Sequence, residues 1–196
     1  MPVASFFTVT SVSTMITCAA VILPVNFWKR KLTGKVDVRI NSNGGEVYSG
    51  IAIFNALKNS KADITIYVDG IAASMASVIA LCGKPVRMSR YARLMLHSVQ
   101  GGCYGNKDEM KDCIREIEAL EDTLCEMYAT RMGKDKEEIR AMYFDGKDHW
   151  LRADEALALG LSTVFMTLTR YRRTVPPNKY FKYSITGCTS HKTRIA

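Results

Sequence analysis

The chain of 196 residues has the length of one medium-sized domain, and its 47% hydrophobic and 23% charged residues are typical of a folded protein. The net charge of +8 does not predict a basic binding surface, because the excess of positive charge lies at the two ends of the chain. Seven Lys or Arg and no Asp or Glu follow Met166, and residues 1–35 hold four Lys or Arg and no acid. The middle therefore carries 16 Lys or Arg against 19 Asp or Glu. We predict two basic flanking segments and no nucleic-acid partner.

The six cysteines include no Cys-x-x-Cys pair, and only three histidines accompany them. This pattern excludes the usual zinc and disulfide frameworks, so we expect no metal and no cofactor. Cys82 and Cys113 lie in apolar segments, where small buried thiols are expected, and such cysteine usage favours a reducing, cytoplasmic location. The apolar run at 16–25 is too short to span a bilayer and its cations follow it, which favours a buried segment or a poorly ordered arm over a membrane or signal segment.

Hydrophobic periodicity predicts strands and helices in alternation along the chain. The predicted strands lie at 36–40, 64–68, 85–88, 93–97 and 163–168. The predicted helices lie at 47–60, 74–81, 107–132, 135–144 and 153–159. We predict that the second strand stops at Asp69-Gly70, where turn residues follow the β-branched run. This order predicts an α/β domain with a mostly parallel sheet, in which ligand sites lie where strands lead into helices.

Ser74 begins the second predicted helix and is surrounded by small residues. A hydroxyl at a helix N-terminus, beside N–H groups that point at an incoming oxygen, suits a nucleophile. The same residues suit a serine that caps the helix, and the local pattern alone favours this capping role. A nucleophilic serine needs a base, and of the three histidines only His97 ends a predicted strand.

The turn at 41–45 ends the first predicted strand with Asn-Ser-Asn-Gly-Gly. Its two glycines allow backbone N–H groups to face a ligand without an intervening side chain. Such donors could stabilise the oxyanion of an acyl-transfer reaction, at about 3 kcal/mol for one hydrogen bond. A glycine pair alone is weak evidence, because ordinary strand-to-helix turns use the same residues.

Four blocks of sequence occur together over residues 40–168. They are Ile40-Asn41-Ser42-Asn43-Gly44-Gly45, Gly70-Ile71-Ala72-Ala73-Ser74-Met75-Ala76-Ser77, Arg93-Leu94-Met95-Leu96-His97 and Asp148-His149-Trp150-Leu151-Arg152-Ala153-Asp154-Glu155-Ala156. In this order and at this spacing they resemble the proteolytic subunit of the ATP-dependent Clp protease and its phage-borne relatives. The resemblance implies a Clp protease and crotonase-like fold of stacked β-α units, with a mostly parallel sheet and a long handle helix at 107–132.

The resemblance also implies the catalytic residues. Ser74 would be the nucleophile, His97 its general base, and Asp148 the group that holds the imidazole in the tautomer that accepts the serine proton. Reasoning from the residues alone does not choose between Asp148 and Asp145, so this assignment depends on the fourth block.

The same resemblance implies the remaining contacts of the site. The backbone N–H groups of Gly44 and Met75 would form the oxyanion hole. Gly45, Gly101 and Gly102 would contact the substrate.

The function implied is a serine endopeptidase that hydrolyses unfolded or scaffold polypeptides inside a homo-oligomeric chamber of stacked rings. The chain contains no P-loop, so an AAA+ unfoldase would have to supply any ATP hydrolysis. Departures such as Asn43, Ile71 and Ser98-Val99 favour a phage or prophage-type member. We expect a catalytic domain at 36–168, an atypical N-terminal segment at 1–35 and a basic, partly disordered tail at 169–196.

Other functions remain as alternatives. A phage head-maturation protease would act without an ATPase. A crotonase-type acyl-CoA enzyme would have a related sheet and similar glycine-rich oxyanion turns, but it needs no Ser-His-Asp set. A Ser-Lys peptidase of the signal-peptide-peptidase kind would need a lysine where His97 stands. An inactive scaffold or ring subunit is the non-enzymatic alternative.

Overall fold

The structure is a computed structural model and describes residues 5–9 and 35–166. The predicted tail at 169–196, the apolar run at 16–25 and most of the predicted segment at 1–35 lie outside the described residues. The boundaries predicted for these flanking segments therefore stay predictions.

Strands and helices are interleaved along the described chain, with β4 followed directly by β5 and α3 by α4. The strands are β1 Ser5–Val9, β2 Lys35–Ser42, β3 Asp63–Ala73, β4 Val86–Ser89, β5 Arg93–Leu96, β6 His149–Arg152 and β7 Val164–Met166. The helices are α1 Val47–Lys58, α2 Met75–Ala80, α3 Lys107–Met132, α4 Lys136–Tyr143 and α5 Ala153–Ala158.

The strands form one sheet in the order β1-β2-β3-β4-β7, and all four of these pairings are parallel. The C-terminal part of β3 leaves β4 and pairs in parallel with β5, while β6 pairs antiparallel with β5. The predicted α/β class with a mostly parallel sheet is confirmed. Because the carboxyl ends of parallel strands meet at one edge, the turns after β2, β3 and β5 lie close together.

The core is formed by the inward faces of the central strands and by the helices that pack on them. Every residue of α2 is buried, as expected for a helix made only of small and apolar residues. The strand residues of this core include Val38, Ile40, Ile66, Val68, Leu94 and Leu96, each less than 1% exposed. Burial of each such side chain contributes about 1.5–3 kcal/mol, which holds the strand ends of the site in place.

The prediction that the second strand stops at Asp69-Gly70 is wrong, because β3 continues to Ala73. The register between β2 and β3 shifts between Ile40 and Ser42, and the Asn41 side chain accepts a hydrogen bond from the Ile71 N–H at 3.2 Å. A Cβ on Gly70 would lie 2.8 Å from Asn41 Oδ1. The glycine is thus required for this close approach and does not end the strand.

Helix α3 has the predicted bounds of 107–132. Asn106 caps it by accepting hydrogen bonds from the N–H groups of Asp108 and Glu109 at 2.9 and 3.1 Å, and Gly133 ends it in the left-handed conformation. The predicted apolar stripe is buried only in its second half, since Met110 and Ile114 are 44% and 55% exposed. Among the helices of the described part of the chain, none has the length and hydropathy that crossing a bilayer requires.

The cysteines differ from the prediction in one respect. Cys82 is buried, as predicted for a thiol in an apolar segment, and Cys125 is buried as well. Cys113 is only half-buried, because it lies in the largely exposed first half of α3. Cys103, in the loop between β5 and α3, is exposed.

Candidate active site

Ser74 connects β3 to α2 and has an unusual backbone conformation. Its φ of 53° makes it the one residue other than glycine with a positive φ in the described chain, at a cost of about 1–3 kcal/mol. The strand pairing that ends with Ala73 opposite Met95 stabilises this conformation, and the Ser74 N–H donates to the Met95 carbonyl at 2.9 Å. The Ser74 side chain makes no capping hydrogen bond to α2, in contrast to the capping role that the local pattern favoured.

His97 follows β5 directly and faces Ser74. Its Nε2 lies 2.8 Å from Ser74 Oγ, within hydrogen-bond distance. The parallel pairing of β3 with β5 explains this contact, because it puts the residues that follow the two strands side by side. The structure thus brings together the two residues that were predicted as nucleophile and base.

Asp148 and Asp145, which the residues alone did not distinguish, have different partners. Asp148 Oδ1 lies 3.4 Å from His97 Nδ1, whereas Asp145 Oδ1 lies 2.7 Å from His149 Nε2. The hydrogen bond from His149 lowers the pKa of Asp145 below its usual value. The register of β6 explains the difference, since His149 pairs with Leu96 and puts Asp148 beside His97.

The contact between His97 and Asp148 is not a formed hydrogen bond. His97 Nδ1 is buried and has no hydrogen-bond partner among the described residues, and the Asp148 side chain is 52% exposed. A buried N–H without a partner costs about 1–3 kcal/mol. Asp148 therefore lies beside His97 Nδ1, but it would have to move closer to accept a hydrogen bond from this nitrogen.

Gly44 lies against the start of α2. A Cβ at this position would lie 2.6 Å from the Ala73 carbonyl oxygen, 2.8 Å from Ser74 Cβ and 3.0 Å from the Met75 nitrogen. Its φ of +96° also favours glycine. The backbone N–H of Gly44 donates to Ser42 Oγ at 3.2 Å, so a substrate oxygen would have to replace this long hydrogen bond.

A cleft of about 300 Å³ lies next to Ser74. Its lining includes Gly45, one of the predicted substrate contacts, but neither Gly101 nor Gly102. The polar and backbone lining comes from Asn43, Gly45, Ser74, His97, Ser98, Gln100 and Tyr128, and the apolar lining from Val47, Met75, Val78, Met95, Val99 and Leu124. Residues 98–100, which precede Gly101 and Gly102 in the chain, line the cleft, and the contact of these two glycines with a substrate stays a prediction.

Sequence reasoning missed a buried hydrogen-bond network behind Ser74. Ser77 Oγ lies 2.7 Å from the Ser74 carbonyl oxygen, 3.1 Å from the Met95 carbonyl oxygen and 2.7 Å from the Tyr128 hydroxyl. Burial raises the pKa of Tyr128, which keeps the phenol protonated and able to donate to Ser77. The Ser77 hydroxyl can then donate to the Ser74 carbonyl oxygen, so this network helps to fix the backbone of Ser74. No sequence signal pairs Ser77 with a residue 51 positions away.

A bound metal ion requires a group of ligating side chains. Within residues 35–163, no group of three or more His, Cys, Asp or Glu side chains has the arrangement of a metal site. The groups that meet at the cleft are the Ser74 hydroxyl, the His97 imidazole, the nearby Asp148 carboxylate and the backbone beside Gly44.

Comparison with known proteins adds an independent observation. A sequence profile described as Clp protease matches residues 16–167. The chain is 31% identical over 128 residues to the ATP-dependent Clp protease proteolytic subunit of Bacteroides fragilis, an alignment that covers 64% of this chain and 61% of the relative. It is 34% identical over 126 residues to the ATP-dependent Clp protease proteolytic subunit 1 of Chlamydia muridarum, and this alignment covers 62% of this chain and 65% of the relative. The chain thus spans about six tenths of the length of these curated relatives.

Proposed function

Because the chain belongs to the Clp protease family, we propose that it is a serine endopeptidase with Ser74 as nucleophile, His97 as general base and Asp148 as the residue that orients His97. The observation that carries the proposal is the 2.8 Å contact between Ser74 Oγ and His97 Nε2 at the edge of a cleft. A serine hydroxyl becomes a useful nucleophile when a base of this kind accepts its proton.

The proposed reaction has two steps. His97 Nε2 removes the Ser74 proton as Oγ attacks the peptide carbonyl, and the N–H groups of Gly44 and Met75 stabilise the oxyanion. His97 then gives the proton to the leaving amine, which breaks the peptide bond and leaves an acyl-enzyme. Water, activated by the same imidazole, hydrolyses the ester. The proposal requires Asp148 to move within hydrogen-bond distance of His97 Nδ1. It also requires the Gly44 N–H to give up its hydrogen bond to Ser42 Oγ and donate to the substrate oxygen instead.

The proposed substrate is an extended segment of an unfolded or scaffold polypeptide. Apolar side chains such as Val78, Met95 and Leu124 make the interior of the cleft suitable for an apolar side chain of the substrate. Gly45 lines the cleft, and we propose that Gly101 and Gly102 contact the chain of the substrate farther from Ser74.

We propose that the protein works as a cytoplasmic homo-oligomer of stacked rings, which would hide a peptidase of broad specificity. The exposed Met110 and Ile114 on α3 support an interface between copies, because large apolar side chains side by side on a surface favour association. The relatives named above are described as ATP-dependent, and the chain contains no P-loop, so an AAA+ unfoldase is the proposed partner. A phage-type member that acts without an ATPase is the alternative within the same chemistry.

An inactive ring subunit is the second candidate function. It is favoured by the unpartnered Nδ1 of His97 and by the hydrogen bond between the Gly44 N–H and Ser42. A crotonase-type acyl-CoA enzyme is disfavoured, because that chemistry gives the contact between Ser74 and His97 no role.

A fluorophosphonate probe on the full chain tests the proposal. We expect one labelled residue, Ser74, and complete loss of labelling in Ser74→Ala, while Ser89→Ala, a serine outside the cleft, keeps it. Hydrolysis of fluorogenic peptides should be lost in the same variant. Labelling that persists in Ser74→Ala would remove Ser74 from its proposed role, and an unlabelled wild-type ring would favour the inactive subunit.

A further inference from the structure

The segment 99–105, which connects the cleft to the cap of α3, runs back along one face of that helix. The Val99 N–H donates to Glu121 Oε1 at 3.0 Å. A Cβ on Gly101 would lie 3.1 Å from Ile117 Cδ1, and one on Gly105 would lie within 3 Å of Glu109 Oε2. The segment therefore runs antiparallel to α3, and each step of two residues along the segment matches a step of four residues toward the N-terminus of the helix.

This spacing is the one expected for an extended chain along a helix. Two extended residues advance about 6.6 Å and four helical residues about 6 Å, so the two stay in register. The pairs at 99 with 121, 101 with 117 and 105 with 109 leave Cys103 opposite Cys113. Residues 109, 113, 117 and 121 are four apart and share one face of α3.

Burial along α3 agrees with this arrangement. Cys113 and Ile117 are half-buried, whereas the three residues between them are exposed. The interaction with the neighbouring Cys103 thiol raises the pKa of Cys113 above its ordinary value. Cys103 is exposed and can be reached by a reagent in solution.

We propose that Cys103 and Cys113 form a reversible disulfide by exchange with a low-molecular-weight disulfide such as oxidised glutathione. The disulfide would fasten the segment 99–105 to α3 next to the cleft. Val99 and Gln100, at the start of this segment, line the cleft beside His97. The oxidation state of the pair would thus set how freely this side of the cleft can move.

Oxidised glutathione is the only oxidant that this exchange needs. The Cys103 thiolate attacks one sulfur of oxidised glutathione, forming a mixed disulfide and releasing one glutathione thiolate. The Cys113 thiolate then attacks the Cys103 sulfur and displaces the second glutathione. The two cysteines are oxidised, one molecule of oxidised glutathione is reduced to two thiols, and the two protein protons pass to the products.

Treatment of the reduced full chain with oxidised glutathione, followed by alkylation and peptide mapping, tests the proposal. We expect a mass loss of two hydrogen atoms, a peptide with Cys103 linked to Cys113, and reversal by dithiothreitol. Cys113→Ser should instead carry one glutathionyl group on Cys103, because the resolving thiol is absent. Cys125→Ala, which removes a buried thiol of the same helix, should still form the linked peptide.

Two outcomes would overturn the proposal. One is wild-type protein that keeps glutathione on Cys103 while Cys113 stays reduced. The other is a link from Cys103 to a different cysteine, including Cys103 of a second copy. Amide hydrogen exchange gives a separate measurement: oxidation should slow exchange in residues 99–105 and leave α4 unchanged, and equal exchange in both states would refute the fastening of the segment. Neither measurement depends on peptidase activity.

Discussion

His97 contacts Ser74 through one ring nitrogen at 2.8 Å and approaches Asp148 through the other at 3.4 Å. The first distance is a hydrogen bond, and the second brings the carboxylate near without forming one. The strand pairing that aligns β3 with β5 is continuous up to Ala73, so the first contact is held by the core. Asp148 precedes β6 and is half exposed, so the core does not hold the second contact in the same way.

Asp148→Asn should lower kcat by up to about 10⁴-fold, because an amide would stabilise the wrong tautomer of His97. Asp145→Asn is the matched control, since this carboxylate contacts His149 and should leave kcat within a few-fold. Peptide hydrolysis by the two purified variants makes the measurement. A larger loss in Asp145→Asn than in Asp148→Asn would reverse the proposed assignment.

Gly44→Ala should abolish most of the activity, with a loss on the order of 10²–10³-fold in kcat. The added methyl would meet the Ala73 carbonyl at 2.6 Å and displace the turn from the Met75 N–H. Gly83→Ala provides the control, because Gly83 has a similar φ of +85° but nothing within 4 Å of the added Cβ. The control should cost about 1 kcal/mol of stability and keep its activity. Equal losses of activity in both variants would mean that backbone strain, and not the position of Gly44, is responsible.

Ser77→Ala should destabilise the protein by about 1–3 kcal/mol, because the buried Tyr128 hydroxyl would lose its partner. Tyr128→Phe should cost about 1 kcal/mol, since Ser77 still reaches a carbonyl. The double variant should cost less than the sum of the two single changes, because removing both groups leaves no unpaired hydroxyl. Urea denaturation of the four proteins measures this coupling. Strict additivity would show that the two hydroxyls do not interact.

Stability should fall as the pH rises from about 9 to 11, partly through Cys125. Burial raises the pKa of this thiol from its ordinary 9.0 to about 11 in the folded protein. Between these values the unfolded chain releases the proton and the folded chain keeps it, so unfolding is favoured as the pH rises. Tyr128 and Tyr143, whose pKa values are also raised by burial, act in the same direction at higher pH.

Urea midpoints at about pH 8 and pH 10.5 make this comparison. Cys125→Ala removes the thiol, so its midpoint should fall less between the two pH values than that of the wild type. The same fall in both proteins would show that Cys125 does not contribute. Measurements at several ionic strengths separate this local effect from the change in net charge of the surface.

Features that depend on neighbouring residues were predictable from the sequence. The period of the apolar residues predicted most of the strands and helices, including α3 with its bounds of 107–132. Ser74 could be chosen as a candidate because it begins a predicted helix among small residues, and His97 because it ends a predicted strand. These predictions succeed because hydrogen bonds within a helix or turn join residues a few positions apart.

Features that depend on register between distant strands required the tertiary structure. The four residues of β6 have no clear period, yet their pairing with β5 puts Asp148, and not Asp145, beside His97. The continuation of β3 past Gly70 depends on Asn41, 30 positions away from its partner Ile71. The sequence by itself thus determined the fold class and two candidate catalytic residues. Which carboxylate and which hydroxyls lie near them was decided by packing, because these contacts form between segments that meet only in the folded chain.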